Sequence, residues 1–138
     1  MVATILSHVL GYPVTGDAIV AKYQDPTLFL VISDFFQLMG EELFKVFILL
    51  MVMFAVYRFT QNRGLAITLA IIVTLFVFGI AHSRAYSGRL LQILLIQGLG
   101  SIFDLYAYMK TKNVMVSYIL HLLIDFIPLT VLTLGSMA

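Results

Sequence analysis

Eight ionisable side chains lie in segments of this chain that are otherwise almost entirely apolar: Asp34, Glu41, Glu42, Lys45, His82, Asp104, His121 and Asp125. Carboxylates and imidazoles are the common general acids and bases of enzymes, and they also bind metal ions. Because an ionisable group inside a hydrophobic span is costly, such groups usually face the interior of a helix bundle and belong to a functional site. The pattern therefore predicts a polar site enclosed by apolar helices.

Three residue pairs are four positions apart, which places both members on one face of a helix: Glu41 with Lys45, Phe78 with His82, and His121 with Asp125. Glu42 lies about 100° around the helix from Glu41, so the two carboxylates are expected to point in different directions. Each pair alone is compatible with a structural role, and we interpret Asp34 and Asp104 as packing or interfacial groups. Convergence of two glutamates, two histidines and an aspartate from three helices favours a functional site.

The composition is that of an integral membrane protein. Of the 138 residues, 62% are hydrophobic and 11% are charged, and the mean hydropathy is +1.05. The net charge of +1 gives no electrostatic basis for binding nucleic acid. Because the chain has no cysteine, disulfides, thiolate metal ligands and cysteine nucleophiles are excluded.

Four segments are long and apolar enough to be membrane helices: residues 27–58, 65–83, 90–109 and 114–134. The first exceeds a single span, so it is either one long tilted helix or a shorter helix that feeds the span near Gly40. Residues 1–11 are interpreted as a short membrane-associated helix, and residues 12–26 as an interfacial loop. The predicted fold is all-α, a polytopic membrane bundle of four to five helices that forms a single domain over residues 1–138.

The order of the motifs resembles that of a known protease family. EELFK at 41–45, FGIAH at 78–82 and HLLID at 121–125 are similar to the double-Glu, Phe-x-x-x-His and His-x-x-x-Asn/Asp motifs of the CAAX protease and bacteriocin-processing (CPBP, Abi) family. These proteins are intramembrane glutamyl proteases, and the resemblance covers residues 38–130. In two departures, Lys45 followed by Val46 replaces the usual arginine, as in PrsW-type proteases, and Asp125 stands where asparagine is commoner.

The resemblance implies an intramembrane endopeptidase that hydrolyses a peptide bond of a membrane-associated or lipidated peptide or protein, in peptide maturation or bacteriocin self-immunity. Glu41 would act as general base on a water held with His82, and His121 with Asp125 would stabilise the oxyanion. The supporting residues would be Glu42, Lys45 and Phe78. No cofactor is implied.

Three alternatives stay open at this point. Glu41, His82 and His121 also suit Zn²⁺ or Mn²⁺. The chain could instead be a non-catalytic immunity or partner-binding protein, or an ion pathway. We expect it to lie as a multi-pass protein in a bacterial or archaeal inner membrane, in contact with lipid and substrate, alone, as a homo-oligomer or with a partner membrane protein.

One geometric difficulty accompanies this interpretation. If the first and third loops lie level, a rise of ~1.5 Å per residue places Glu41 and His82 about 26 Å from that face, but His121 only about 12 Å from it. Helix tilt or unequal helix extension must bring His121 to the same depth if it belongs to the site.

Overall fold

A computed structural model describes residues 27–84, residue 86 and residues 89–135, with side chains as far as Ile127. These residues form four helices: α1, Leu28–Thr60; α2, Arg63–Ala81; α3, Leu90–Thr111; and α4, Val114–Gly135. The part of the chain that is described contains no strand, so the all-α prediction is confirmed. The predicted helix over residues 1–11 and the loop over 12–26 lie outside the described residues.

The helix ends follow from short polar signals between the apolar segments. The side chain of Thr27 accepts a hydrogen bond from the Leu30 amide at the start of α1, and Asn62 accepts one from Leu65 at the start of α2. Between them, Gln61 adopts a left-handed conformation with φ of 51° and ends α1. A two-residue connection thus reverses the chain and makes α1 and α2 antiparallel.

Helix α1 is continuous over 33 residues and passes through Gly40 without a break. Of the two arrangements left open by the sequence, the single long helix is the correct one. At ~1.5 Å per residue it is about 50 Å long, well above the ~30 Å of a bilayer's hydrocarbon core. Helices α1, α2 and α3 are each long and apolar enough to cross a membrane.

Helix α3 changes its winding along its length. It begins with one α-helical turn at Leu90–Gln92, continues as a π-helix over Ile93–Gly98, and returns to an α-helix over Ile102–Thr111. The π-helical segment packs on α2, whereas the α-helical segment packs on α4 and α1. Such segments accommodate an extra residue per turn and often lie beside functional sites.

Small residues permit close approach of the helices. A β-carbon on Gly98 would lie 3.0 Å from the carbonyl oxygen of Leu75, and one on Gly79 would lie 3.3 Å from the α-carbon of Gly98. The backbones of α2 and α3 are therefore in direct contact near the end of α2. Ala70, also on α2, is fully buried in a core with Leu49, Leu75 and Leu105. Small interfacial residues of this kind are typical of packed membrane helices.

Gly98→Ala is expected to lower the free energy of unfolding by about 1–3 kcal/mol, because the added methyl group meets a backbone carbonyl that cannot rotate away. Thermal unfolding in detergent measures this loss. Gly100→Ala, two residues later in the same helix, is the control, since a β-carbon there meets nothing within 4 Å. Equal melting temperatures for the two variants would contradict the close contact.

Candidate active site

The structure brings Glu41 of α1 and His82 at the end of α2 together. The Oε2 atom of Glu41 lies 3.7 Å from Nε2 of His82, and each side chain retains about a fifth of its exposure. The other carboxylate oxygen of Glu41 accepts a hydrogen bond of 2.9 Å from the amide nitrogen of Gln37, one turn earlier. A separation of 3.7 Å is too long for a direct hydrogen bond, but one water molecule can contact both groups at that distance.

The helix end determines which nitrogen of His82 faces Glu41. Nδ1 lies 2.9 Å from the carbonyl oxygen of Phe78, while the His82 backbone amide bonds to Gly79. The Phe78 carbonyl is available because the last four carbonyls of a helix lack intrahelical partners. Since a carbonyl only accepts, the proton is assigned to Nδ1. In the neutral ring, Nε2 then presents its lone pair toward Glu41.

A second group of polar side chains is buried beside this pair. The ammonium of Lys45 is fully buried. It forms ion pairs with the carboxylates of Glu42 on its own helix and Asp104 on α3, and it donates a hydrogen bond to Asp104. Both carboxylates are almost completely buried as well. Buried charges of this kind persist only when they are paired and hydrogen-bonded.

The expected pairing of Glu41 with Lys45 is wrong: the described partners of Lys45 are Glu42 and Asp104. Positions three and four residues earlier are both neighbours on a helix surface, so spacing alone could not choose between the glutamates. The contact with Asp104 holds the Lys45 ammonium toward α3, on the side of α1 where Glu42 lies.

His121 of α4 belongs to this buried group. Its Nδ1 atom lies 2.7 Å from Oε1 of Glu42 and 3.9 Å from Oδ2 of Asp104. Its Nε2 atom lies 3.6 Å from Oδ2 of Asp125, one turn later on the same helix. The structure thus brings His121 and Asp125 together, as their spacing predicts, and adds Glu42 on the other side of the ring.

The calculated difference in depth between His121 and the pair Glu41 and His82 arises from the assumption that the first and third loops lie level. Helix α1 continues for about 27 Å from Glu42 to its end at Thr60, whereas α4 travels only about 10 Å from Val114 to His121. Because Glu42 and His121 are in contact, the first loop projects well beyond the third along the axis of α1. Unequal helix extension therefore places His121 at the required depth.

The ring of Phe78 packs against both groups. Its centroid lies 4.6 Å from that of His82 in an edge-on arrangement and 6.5 Å from that of His121. The ammonium of Lys45 lies 4.6 Å from the same centroid, within the range of a cation–π interaction. The first residue of the Phe-x-x-x-His motif thus connects the exposed pair, Glu41 and His82, with the buried cluster around Lys45.

Among the described residues, one set of three has donor atoms close enough together to hold a metal ion. It consists of Glu42, Asp104 and His121, whose atoms lie within 4.8 Å of one another. This set shares only His121 with the metal ligands suggested by the sequence. Its two carboxylates already contact the ammonium of Lys45, which is the cation of this cluster.

The sequence analysis did not assign three residues to the site: Gln37, Asp104 and Ser117. Gln37 and Ser117 each stand four positions before a predicted site residue, Glu41 and His121, so helical spacing could have indicated both. The Ser117 hydroxyl bonds to Glu42 and lies 2.8 Å from the carbonyl oxygen of Asp104. Asp104, which lies in none of the three motifs, was interpreted as a packing or interfacial group.

Nitrogen-15 NMR of the histidine rings is expected to show His82 as the Nδ1–H tautomer, because Nδ1 donates to the Phe78 carbonyl. The chain has three histidines, and the His82→Gln variant identifies the signal by its loss. A resonance pattern typical of the Nε2–H tautomer would overturn the assigned orientation of Nε2 toward Glu41.

Comparison with known proteins shows the family of the chain. The family model for Type II CAAX prenyl endopeptidase Rce1-like proteins matches residues 23–127, which include every residue of the candidate site. No curated protein and no solved structure matches the chain. Together with three helices able to cross a membrane, the match supports an integral membrane protease of the CAAX type. The chain belongs to the Rce1-like family of type II CAAX prenyl endopeptidases.

Proposed function

We propose that this protein is a glutamyl endopeptidase that hydrolyses a peptide bond in a prenylated, membrane-associated peptide, using water activated by Glu41 and His82. The observation that carries the proposal is the 3.7 Å separation between Oε2 of Glu41 and Nε2 of His82. Gln37 occupies the other oxygen of Glu41, and the Phe78 carbonyl occupies the other nitrogen of His82. The two remaining atoms lie 3.7 Å apart, and one water molecule beside them can contact both.

The reaction needs no covalent intermediate. Glu41 takes a proton from the water while the water oxygen bonds to the carbonyl carbon of the substrate. The electron pair of the carbonyl bond moves onto the carbonyl oxygen. When that pair returns, the carbon–nitrogen bond breaks and the departing amine takes the proton from Glu41. His82 holds the water in line for attack. The products are a carboxylic acid and an amine, and transfer of the acid's proton to the amine leaves a carboxylate and an ammonium. General base catalysis of this kind contributes about 10²–10⁴-fold in rate.

His121 is the proposed donor to the oxyanion, an interaction worth about 3–4 kcal/mol per donor. Its Nδ1 atom lies against Glu42, a carboxylate that only accepts, so Nδ1 carries a proton. Donation from Nε2 then requires the doubly protonated ring. Asp125, which in its ionised form cannot donate, lies 3.6 Å from Nε2, which is beyond a direct hydrogen bond, so the Nε2 proton stays available to the oxyanion while the carboxylate balances the charge of the ring.

The approach of the substrate follows from the difference in exposure between the two groups. Glu41 and His82 are partly exposed, whereas Glu42, Lys45 and Asp104 are buried. The peptide therefore reaches the site from the side on which Glu41 is exposed. The apolar outer surface of α1 next to it suits a prenyl chain, which agrees with the family's prenyl endopeptidase description.

Glu41→Ala, His82→Ala and His121→Ala are each expected to abolish cleavage, with losses of at least about 100-fold, because each removes a group that acts on the reacting atoms. The substrate is a farnesylated Cys-a-a-X peptide, presented to the purified protein in liposomes and monitored by mass spectrometry. Asp34→Ala is the control, because it removes a different carboxylate from α1 that lies outside the proposed mechanism.

Full activity of any of the three alanine variants would remove that residue from the mechanism. The same peptide without its farnesyl group, and a bacteriocin leader peptide, test the substrate class; preferential cleavage of either would overturn the prenyl assignment. A non-catalytic immunity or partner-binding role predicts a different pattern, in which Glu41→Ala leaves the cellular phenotype unchanged.

Activity is expected to survive dialysis against a metal chelator, because the cation between Glu42 and Asp104 is the Lys45 ammonium. Peptide cleavage is measured before and after dialysis, with metal content determined by elemental analysis. Loss of activity that returns on addition of Zn²⁺ or Mn²⁺ would instead establish a metal-dependent mechanism.

A further inference from the structure

Helix α3 contributes a charged side chain to the site through a residue outside all three motifs. Asp104 is buried, and its Oδ2 atom bonds to the ammonium of Lys45 on α1. Its Oδ1 atom accepts a hydrogen bond of 2.8 Å from the backbone amide of Leu105. Both oxygens are therefore engaged, which fixes the orientation of the carboxylate.

The backbone of Asp104 is held in place as well. The hydroxyl of Ser117 on α4 lies 2.8 Å from the Asp104 carbonyl oxygen and also bonds to the Glu42 carboxylate. Because a hydroxyl carries one proton, it donates to only one of these oxygens at a time. Asp104 is thus tied to α1 through its side chain and to α4 through its backbone.

The chemistry of lysine explains why a second carboxylate is needed. A lysine ammonium is a compact charge on a flexible four-carbon stem, so one acceptor does not define its position. Glu42, three residues away on the same helix, leaves the stem free to swing toward or away from α3. Asp104 lies across from it on another helix and places the ammonium between two fixed points.

We propose that Asp104 is a positioning residue: by holding Lys45, it fixes the Glu42 carboxylate so that Oε1 meets Nδ1 of His121. The chain of contacts runs from Asp104 to Lys45, from Lys45 to Glu42, and from Glu42 to the 2.7 Å contact with His121. This inference rests on the proposed function, in which His121 acts on the oxyanion.

A purely structural role for Asp104 predicts different behaviour. Buried ion pairs contribute little net stability, and replacing both partners with apolar residues of similar size is often neutral or stabilising. A stabilising ion pair could therefore be removed as a pair without loss of activity. If Lys45 and Asp104 position the site, removing both is expected to lower activity. The Glu42 carboxylate would then lose the Lys45 ammonium that fixes it, even in a well-folded protein.

Asp104→Asn keeps the size and an acceptor oxygen but removes the charge that holds Lys45. We expect kcat for the farnesylated peptide to fall roughly 100-fold while KM changes by less than about twofold, as for a misplaced catalytic group. Asp104→Glu, which keeps the charge, is expected to recover part of this loss. Asp34→Asn is the matched control and is expected to retain wild-type kcat. Wild-type kcat in Asp104→Asn would overturn the proposal.

The double variant Lys45→Met/Asp104→Leu tests the inference if the single variant does not fold. We expect it to fold, by size-exclusion profile and melting temperature, and to lose kcat as Asp104→Asn does; a folded double variant with wild-type kcat would refute the positioning role. Glu41→Ala is assayed in parallel. If Glu41→Ala is active, the proposed function fails; if it is inactive while the Asp104 variants match wild type, only this inference fails.

Discussion

The buried ammonium of Lys45 is the constraint on which the arrangement of this protein depends. A fully buried charge must find opposite charges, and this one finds them on two different helices, α1 and α3. Glu42 faces inward for that reason, whereas Glu41, one residue earlier, faces the partly exposed side. Two adjacent glutamates thus acquire different surroundings: one balances charge inside the bundle, and the other meets His82.

The helix contacts agree with this division. Close approach of α2 and α3 at Gly79 and Gly98 holds the end of α2 against the bundle, just before His82. Phe78 lies in the same turn and packs against both histidine rings and the lysine. The backbone contact of Gly79, the ring of Phe78 and the hydrogen bond between the Phe78 carbonyl and His82 all lie in one short segment, residues 78–82.

Hydropathy was sufficient to predict the four helices to within a few residues, because the apolar segments are separated by short polar connections. The spacing of the motifs predicted that His121 and Asp125 share a helix face, and the motifs placed Glu41 with His82, but they did not indicate the contact between Glu42 of α1 and His121 of α4. Asp104 could not be predicted in the same way, because spacing reports neighbours on one helix, and its partner Lys45 lies on another. The π-helical segment of α3 has no signal in the periodicity, and its shift in winding helps to decide which face of α3 reaches Lys45.

The length of α1 has a consequence for where the site lies in the membrane. Even at ~40° from the bilayer normal, about the steepest inclination that membrane helices adopt, a rod of about 50 Å still covers about 38 Å of vertical distance. Tilt alone therefore cannot place all of α1 within about 30 Å of hydrocarbon, so at least one or two turns of the helix lie among the lipid headgroups. Hydrophobic mismatch therefore contributes to the height of Glu41 in the membrane. If Glu41 is the proposed general base, bilayers of different thickness would present an anchored peptide at different heights relative to it.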